Sequence, residues 1–123
     1  MKRDWSLLGD IFSAIENENI EEFINSKNAE EKIRIYRHIE MLIDAGFIKG
    51  ITLHYDIEDN VSSHATYNPR ITLQGYDFAD VVMDKKLLNK TMNAIKKAGL
   101  LASFETIKAY APVALKALVA LAG

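Results

Sequence analysis

The chain has 123 residues, 49% hydrophobic and 26% charged, with a net charge of −2 and no cysteine. That length and balance fit one folded domain whose core needs no disulfide staples, and argue against a disordered chain. The absence of cysteine removes disulfides, thiolate metal sites and thiol nucleophiles, as expected for a reducing, cytoplasmic compartment. The opening Met1-Lys2-Arg3-Asp4-Trp5 runs straight into an amphipathic pattern, and no apolar run approaches the ~20 residues of a bilayer span. Neither a signal peptide nor a membrane partner is expected.

In chain order, Asp4 is placed to cap a first helix to about Glu16, with Trp5, Leu8, Ile11, Phe12 and Ile15 on one face. Asn19 and Glu22 have capping spacing for a short second helix through Ile20, Phe23 and Ile24. The same Asn-x-x-Glu spacing at Asn28 and Glu31 opens a third helix ending near Ala45, with Gly46 as its stop. The period then changes. Ile51, Leu53, Tyr55 and Ile57 alternate with polar residues, which predicts a half-buried strand. A polar loop, Glu58 to His64, and a second strand from about Thr66 to Leu73 complete a hairpin, with Pro69 marking an edge. Helical pattern resumes through Phe78, Val81 and Val82, then Leu88, Met92 and Ile95, with a break near Asp84. Ser103 is expected to cap a last helix, which Pro112 should bend.

The predicted fold is therefore mainly α with a small β-hairpin. Three helices followed by a hairpin give the order of a winged helix-turn-helix core over residues 1–76. Residues 77–123 form a C-terminal helical extension, packed on the core or making a dimer contact within one compact domain. Residues 1–76 carry 8 basic against 13 acidic residues, whereas residues 77–123 carry 7 lysines against 4 acids.

Three blocks carry a family resemblance: Met1-Lys2-Arg3-Asp4, the stretch from Tyr36 to Ile48, and the stretch from Arg70 to Phe78. Together they resemble an uncharacterised family of small phage and prophage proteins, domain-of-unknown-function family 2513. Leu42-Ile43-Asp44-Ala45-Gly46-Phe47-Ile48 and Ile71-Thr72-Leu73-Gln74-Gly75 also resemble winged-helix regulators, in which a recognition helix ends in Leu-x-x-x-Gly-Leu-Ile and the wing returns through Leu-Thr-x-x-Gly. The resemblance implies a winged helix of mobile-element origin. It implies no activity.

On the third helix, Ile35, Tyr36, Ile39, Leu42 and Ile43 fall on a core-facing arc. Arg34, Arg37, His38 and Met41 fall on the opposite arc, where a winged helix reads DNA. Lys27 and Lys32 would add phosphate contacts. Against this, Lys32, Arg34 and Arg37 are outnumbered on that helix by Glu30, Glu31, Glu40 and Asp44, and the wing carries Asp56, Glu58 and Asp59. His54 and His64 match no metal-ligand spacing, and no catalytic constellation, metal or cofactor is expected. The end of the chain is apolar nearly all round, so Val113, Leu115, Leu118, Val119 and Leu121 are expected to pair in a homodimer.

The expected function is that of a DNA-binding transcription regulator, homodimeric and reading DNA with Asn28–Ala45. The alternative is a protein-binding module that inhibits or redirects a host defence or transcription protein. The sign of the charge around the third helix and the wing discriminates the two.

Overall fold

A computed structural model describes residues 2–122, with the element order α1-α2-α3-β1-β2-α4-α5-α6. The chain is mainly helical with a single two-stranded antiparallel hairpin among the described residues. It forms two compact units that part between Tyr76 and Asp77.

Helix α1 (Trp5–Glu16) begins where the Asp4 carboxylate accepts the Leu7 N–H at 3.0 Å. This satisfies one of the donors that a first turn leaves open. Its stripe Leu8, Ile11, Phe12 and Ile15 is buried. Helix α2 (Ile20–Asn25) follows Asn19, but that side chain makes no capping hydrogen bond. The Asn-x-x-Glu spacing overstates this helix, whose buried Ile20 and Ile24 hold it to the core instead. At α3 (Ala29–Asp44) the same spacing does cap. Asn28 Oδ1 accepts the Glu31 N–H at 2.9 Å, and Asn28 Nδ2 donates to the Glu31 carboxylate at 2.8 Å.

Strands β1 (Ile48–Tyr55) and β2 (Val61–Ile71) pair from Ile48↔Ile71 at the base to Tyr55↔Val61 at the tip. Both start earlier than the hydrophobic pattern predicts, and the turn contracts to residues 56–60. Ser62, Ser63 and His64 are polar and read as loop, yet they lie in β2. Most of this hairpin is exposed, so ladder hydrogen bonds hold the strand there without an apolar alternation. The Asp56 carboxylate closes the turn by accepting the Glu58 and Asn60 N–H groups at 2.9 and 3.0 Å.

Near the base, Lys49↔Arg70 and Ile51↔Thr66 flank an irregularity in which Gly50 opposes Tyr67, Asn68 and Pro69. The bulge takes Pro69 out of the ladder, where its missing N–H costs nothing. Gly50 sits at φ +87°, and a Cβ there would meet the Tyr67 and Asn68 carbonyl oxygens at 2.5 Å. Only glycine fits. Buried Ile48, Ile51 and Ile71 pin the hairpin base, β1 against α3 and β2 against α1.

A clasp follows the second strand. The Thr72 N–H donates to the Phe47 carbonyl at 2.9 Å, and the Thr72 hydroxyl donates to the Gly46 carbonyl at 2.7 Å. The same hydroxyl accepts the Gly75 N–H at 3.0 Å, which starts α4 (Leu73–Val82). The Leu-Thr-x-x-Gly signal read from the sequence is this clasp.

Beyond Tyr76, Asp84 separates α4 from α5 (Lys85–Lys97) and caps α5 by accepting the Lys86 and Leu87 N–H groups at 3.1 Å. Ser103 caps α6 (Phe104–Ala122) by accepting the Thr106 N–H at 3.1 Å. Helices α5 and α6 pack together, with Leu88, Ile95, Ile107, Ala111 and Ala114 buried and Phe78 edge-on to Phe104 at 4.9 Å. Pro112 lies within α6, where its ring leaves the carbonyl four residues back without an N–H donor.

A Cβ on Gly75 would lie 2.1 Å from the Phe47 carbonyl oxygen. Gly75→Ala is therefore expected to lower stability by about 1–3 kcal/mol, the cost of overpacking. In urea denaturation, Leu73→Ala at an 89% exposed position is the matched control, expected within about 0.5 kcal/mol of wild type.

Candidate functional site

The core arc of α3 is as the periodicity predicts for Ile35, Tyr36, Ile39 and Leu42, all buried, while Ile43 is half-buried. His38 departs from its expected outward position. It is fully buried, its Nε2 accepting the Asp4 N–H at 2.9 Å and its Nδ1 donating to the Arg34 carbonyl at 2.8 Å. These bonds require the tautomer with hydrogen on Nδ1. A helical wheel of α3 contains no sign that the start of α1 covers this position. His38 is thus sequestered from any ligand of the α3 surface.

The other predicted nucleic-acid contacts are dispersed. Arg34 is ion-paired with Asp4, the residue that caps α1. Partial burial raises the Asp4 pKa, but the Leu7 N–H and the Arg34 guanidinium outweigh it and hold the carboxyl below its ordinary value. Lys27 lies over the Phe23 ring at 5.1 Å. Lys32, half-buried, lines a polar pocket on the β2 side of α3. Of these, only Arg37 faces the groove between α3 and the hairpin tip.

That groove, about 610 Å³, runs between α3 and the hairpin tip. Ile33, Arg37, Glu40 and Met41 form the helix wall, and Tyr55, Asp56, Asp59 and Val61 form the hairpin wall. Ile33 and Tyr55 are 53% and 49% exposed, and both line this one groove beside charged neighbours. Three carboxylates rim the groove against one guanidinium, and Arg37 makes no ion pair among the described residues. The Tyr55 hydroxyl donates to the Glu40 carboxylate across it. That hydrogen bond pushes the Tyr55 pKa up to about 12.

The neighbouring polar pocket holds a hydrogen-bond chain that the sequence reading did not find. The Tyr36 hydroxyl donates to His64 Nδ1 at 2.7 Å, and His64 Nε2–H donates to both Glu21 carboxylate oxygens at 3.1 Å. A carboxylate only accepts, which puts a hydrogen on Nε2, and in the neutral ring Nδ1 is then the acceptor for Tyr36. The chain links α2, α3 and β2, and the His64 side chain is only 7% exposed. Burial first, then the Glu21 charge, raises the Tyr36 pKa. His64 reads as loop and Tyr36 as plain core, so no local spacing announces the pair. The strand register also puts Leu53 opposite His64 and Ser63 opposite His54, which sends the two histidines to opposite faces of the hairpin. Among the described residues no His, Asp and Glu group is arranged to hold a metal.

Residues 2–101 match the family described as Hypothetical protein (DUF2513). The chain belongs to that family. No curated protein and no solved structure matches it. The DUF2513 match takes in α1 through α5 and the groove, and α6 lies outside it.

The residues predicted to pair subunits do not share one face of α6. Leu118 is half-buried, in line with buried Ile107, Ala111 and Ala114. Val113 and Leu121 are exposed on one side of that line, and Leu115 and Val119 on the other. No helix among the described residues is long and apolar enough to cross a membrane.

The Tyr55 pKa lies above its ordinary value of 10.0. The bond to Glu40 therefore contributes its full stability below about pH 10 and loses it as pH rises towards 12. In a phenolate absorbance titration, Glu40→Gln is expected to bring one late-ionising tyrosine back towards 10.0. An unchanged titration would show that the bond does not form in solution.

Proposed function

We propose that this DUF2513 protein is a winged-helix module of mobile-element origin that binds a basic, partly apolar segment of another protein in the groove between α3 and the hairpin. The carrying observation is the groove's own chemistry. Glu40, Asp56 and Asp59 oppose a single Arg37 around exposed Ile33 and Tyr55. A cationic segment with an apolar anchor complements both features. The basic channel of a host nucleic-acid-binding protein presents such segments, which is how the module would inhibit or redirect a host defence or transcription protein.

The winged-helix assignment rests on the succession of three helices and a hairpin, closed by the Thr72 clasp. DNA reading by α3 is the function most often attached to that scaffold, but fold analogy does not carry function. Non-specific affinity for DNA comes mainly from neutralising phosphates. Here the front carries more carboxylates than cations, Arg34 is committed to Asp4 and His38 is buried. Those carboxylates would face the phosphates.

Fluorescence anisotropy with the full chain tests the reading against its rival. A labelled peptide of arginines and leucines is expected to bind, and Glu40→Gln with Asp59→Asn should weaken it about tenfold or more. Random-sequence duplex DNA is expected not to bind at low salt. Duplex binding that falls steeply with salt and is lost in Arg34→Ala with Arg37→Ala would replace this reading with the DNA regulator.

A further inference from the structure

The second unit carries a groove of opposite charge. Between α5 and α6, about 440 Å³ is lined on the α5 side by Lys90, Asn93, Lys96 and Lys97 and on the α6 side by Val113 and Ala117. Lys90, Asn93 and Lys97 recur at helical spacing along one side of α5, with Ala94 between them at the groove floor. On α6, Val113, Ala117 and Leu121 recur every fourth residue, and Val113 and Leu121 are 58% and 75% exposed. One wall is therefore cationic and the other apolar. None of the three lysines is ion-paired among the described residues.

From this geometry we infer that the α5–α6 groove docks an acidic amphipathic helix of a partner protein. Two packed helices offer a furrow into which the side-chain ridge of a third helix fits. Lys90 and Lys97 stand about 10 Å apart along α5 at 1.5 Å per residue, two helical turns. A partner helix with acidic residues two turns apart meets both ammoniums. The apolar residues between those acids then seat against Ala94, Val113 and Ala117. A phosphate backbone fits less well, because it would set anions against Val113 and Ala117 and desolvate them with no hydrogen bond in return. A second copy of the chain fits less well too, since a two-fold contact on this side would bring lysines towards lysines. This groove is separate in sequence and in charge from the one proposed for the basic partner, so either assignment stands or falls without the other.

The probe is a helical peptide with glutamates two turns apart and two leucines between them, titrated into the full chain and read by anisotropy. Its counterpart with lysines in place of the glutamates is expected not to bind. Lys90→Glu with Lys97→Glu should weaken the acidic peptide about tenfold or more. Ala117→Lys separates docking from simple attraction. It adds a positive charge but fills the apolar seat, so docking predicts weaker binding and mere charge attraction predicts stronger. All three positions are exposed, so the variants should keep the wild-type melting midpoint. The inference is overturned if the acidic peptide does not bind, or if Ala117→Lys binds it as tightly as wild type or tighter. It is also overturned if duplex DNA or phosphatidylserine vesicles bind through these lysines and the peptide does not.

Discussion

The rotation of α3 about its own axis decides which of its side chains are available, and His38 fixes that rotation. Both ring nitrogens are hydrogen-bonded, one to the backbone N–H of Asp4 and one to the Arg34 carbonyl, inside a fully buried site. Turning the helix would strand a buried donor and a buried acceptor, each costing about 1–3 kcal/mol. With His38 inward, Ile35, Tyr36, Ile39 and Leu42 complete the core. Ile33, Arg37 and Met41 are left on the groove. Asp4 gains two tasks from the same arrangement, capping α1 and pairing with Arg34. The cation that fold analogy would assign to DNA is thereby drawn into holding α1 against α3.

A two-stranded hairpin is marginal by itself in water. This one is held at its base by Ile48, Ile51 and Ile71 and along its length by the Tyr36–His64–Glu21 chain. The chain ends on a half-exposed carboxylate, so the interior hydrogen bonds connect to water at Glu21. Further out, the Tyr55–Glu40 bond ties the tip to α3. The groove between helix and hairpin is thus bounded by elements tied together both beside and across it. Preorganisation of this kind reduces the ordering cost of binding.

Features set by local chemistry were legible in the sequence. Asp4, Asn28 and Ser103 cap their helices because a side-chain acceptor must lie within three residues of its donor. The change of period at Ile51 gave the hairpin, and Gly46 and Gly75 marked the turns that Thr72 clasps together. What escaped depends on contacts between distant residues. His38 is polar and lies off the hydrophobic stripe, so only knowledge of what covers it reveals that it is core. His64 meets Tyr36 and Glu21 from 28 and 43 residues away. Ser62 to His64 read as loop because an exposed strand has no apolar alternation to show. Similarly, an apolar α6 does not by itself say which arc is inward: Leu118 lies on the half-buried side, while Val113, Leu115, Val119 and Leu121 are exposed.

The acidic surplus before Asp77 and the basic surplus after it become two grooves of opposite sign, each with apolar side chains in its lining. Exposed apolar side chains in a groove suit a protein partner, which can bury them, more than a phosphate backbone, which cannot. Amide chemical-shift mapping on the full chain shows whether the α3–hairpin groove docks protein. On adding an arginine–leucine peptide, shifts are expected to cluster at Ile33, Arg37, Glu40, Tyr55, Asp59 and Val61. Shifts that leave these residues unmoved, with duplex DNA instead moving Lys27, Lys32 and Arg34, would contradict it.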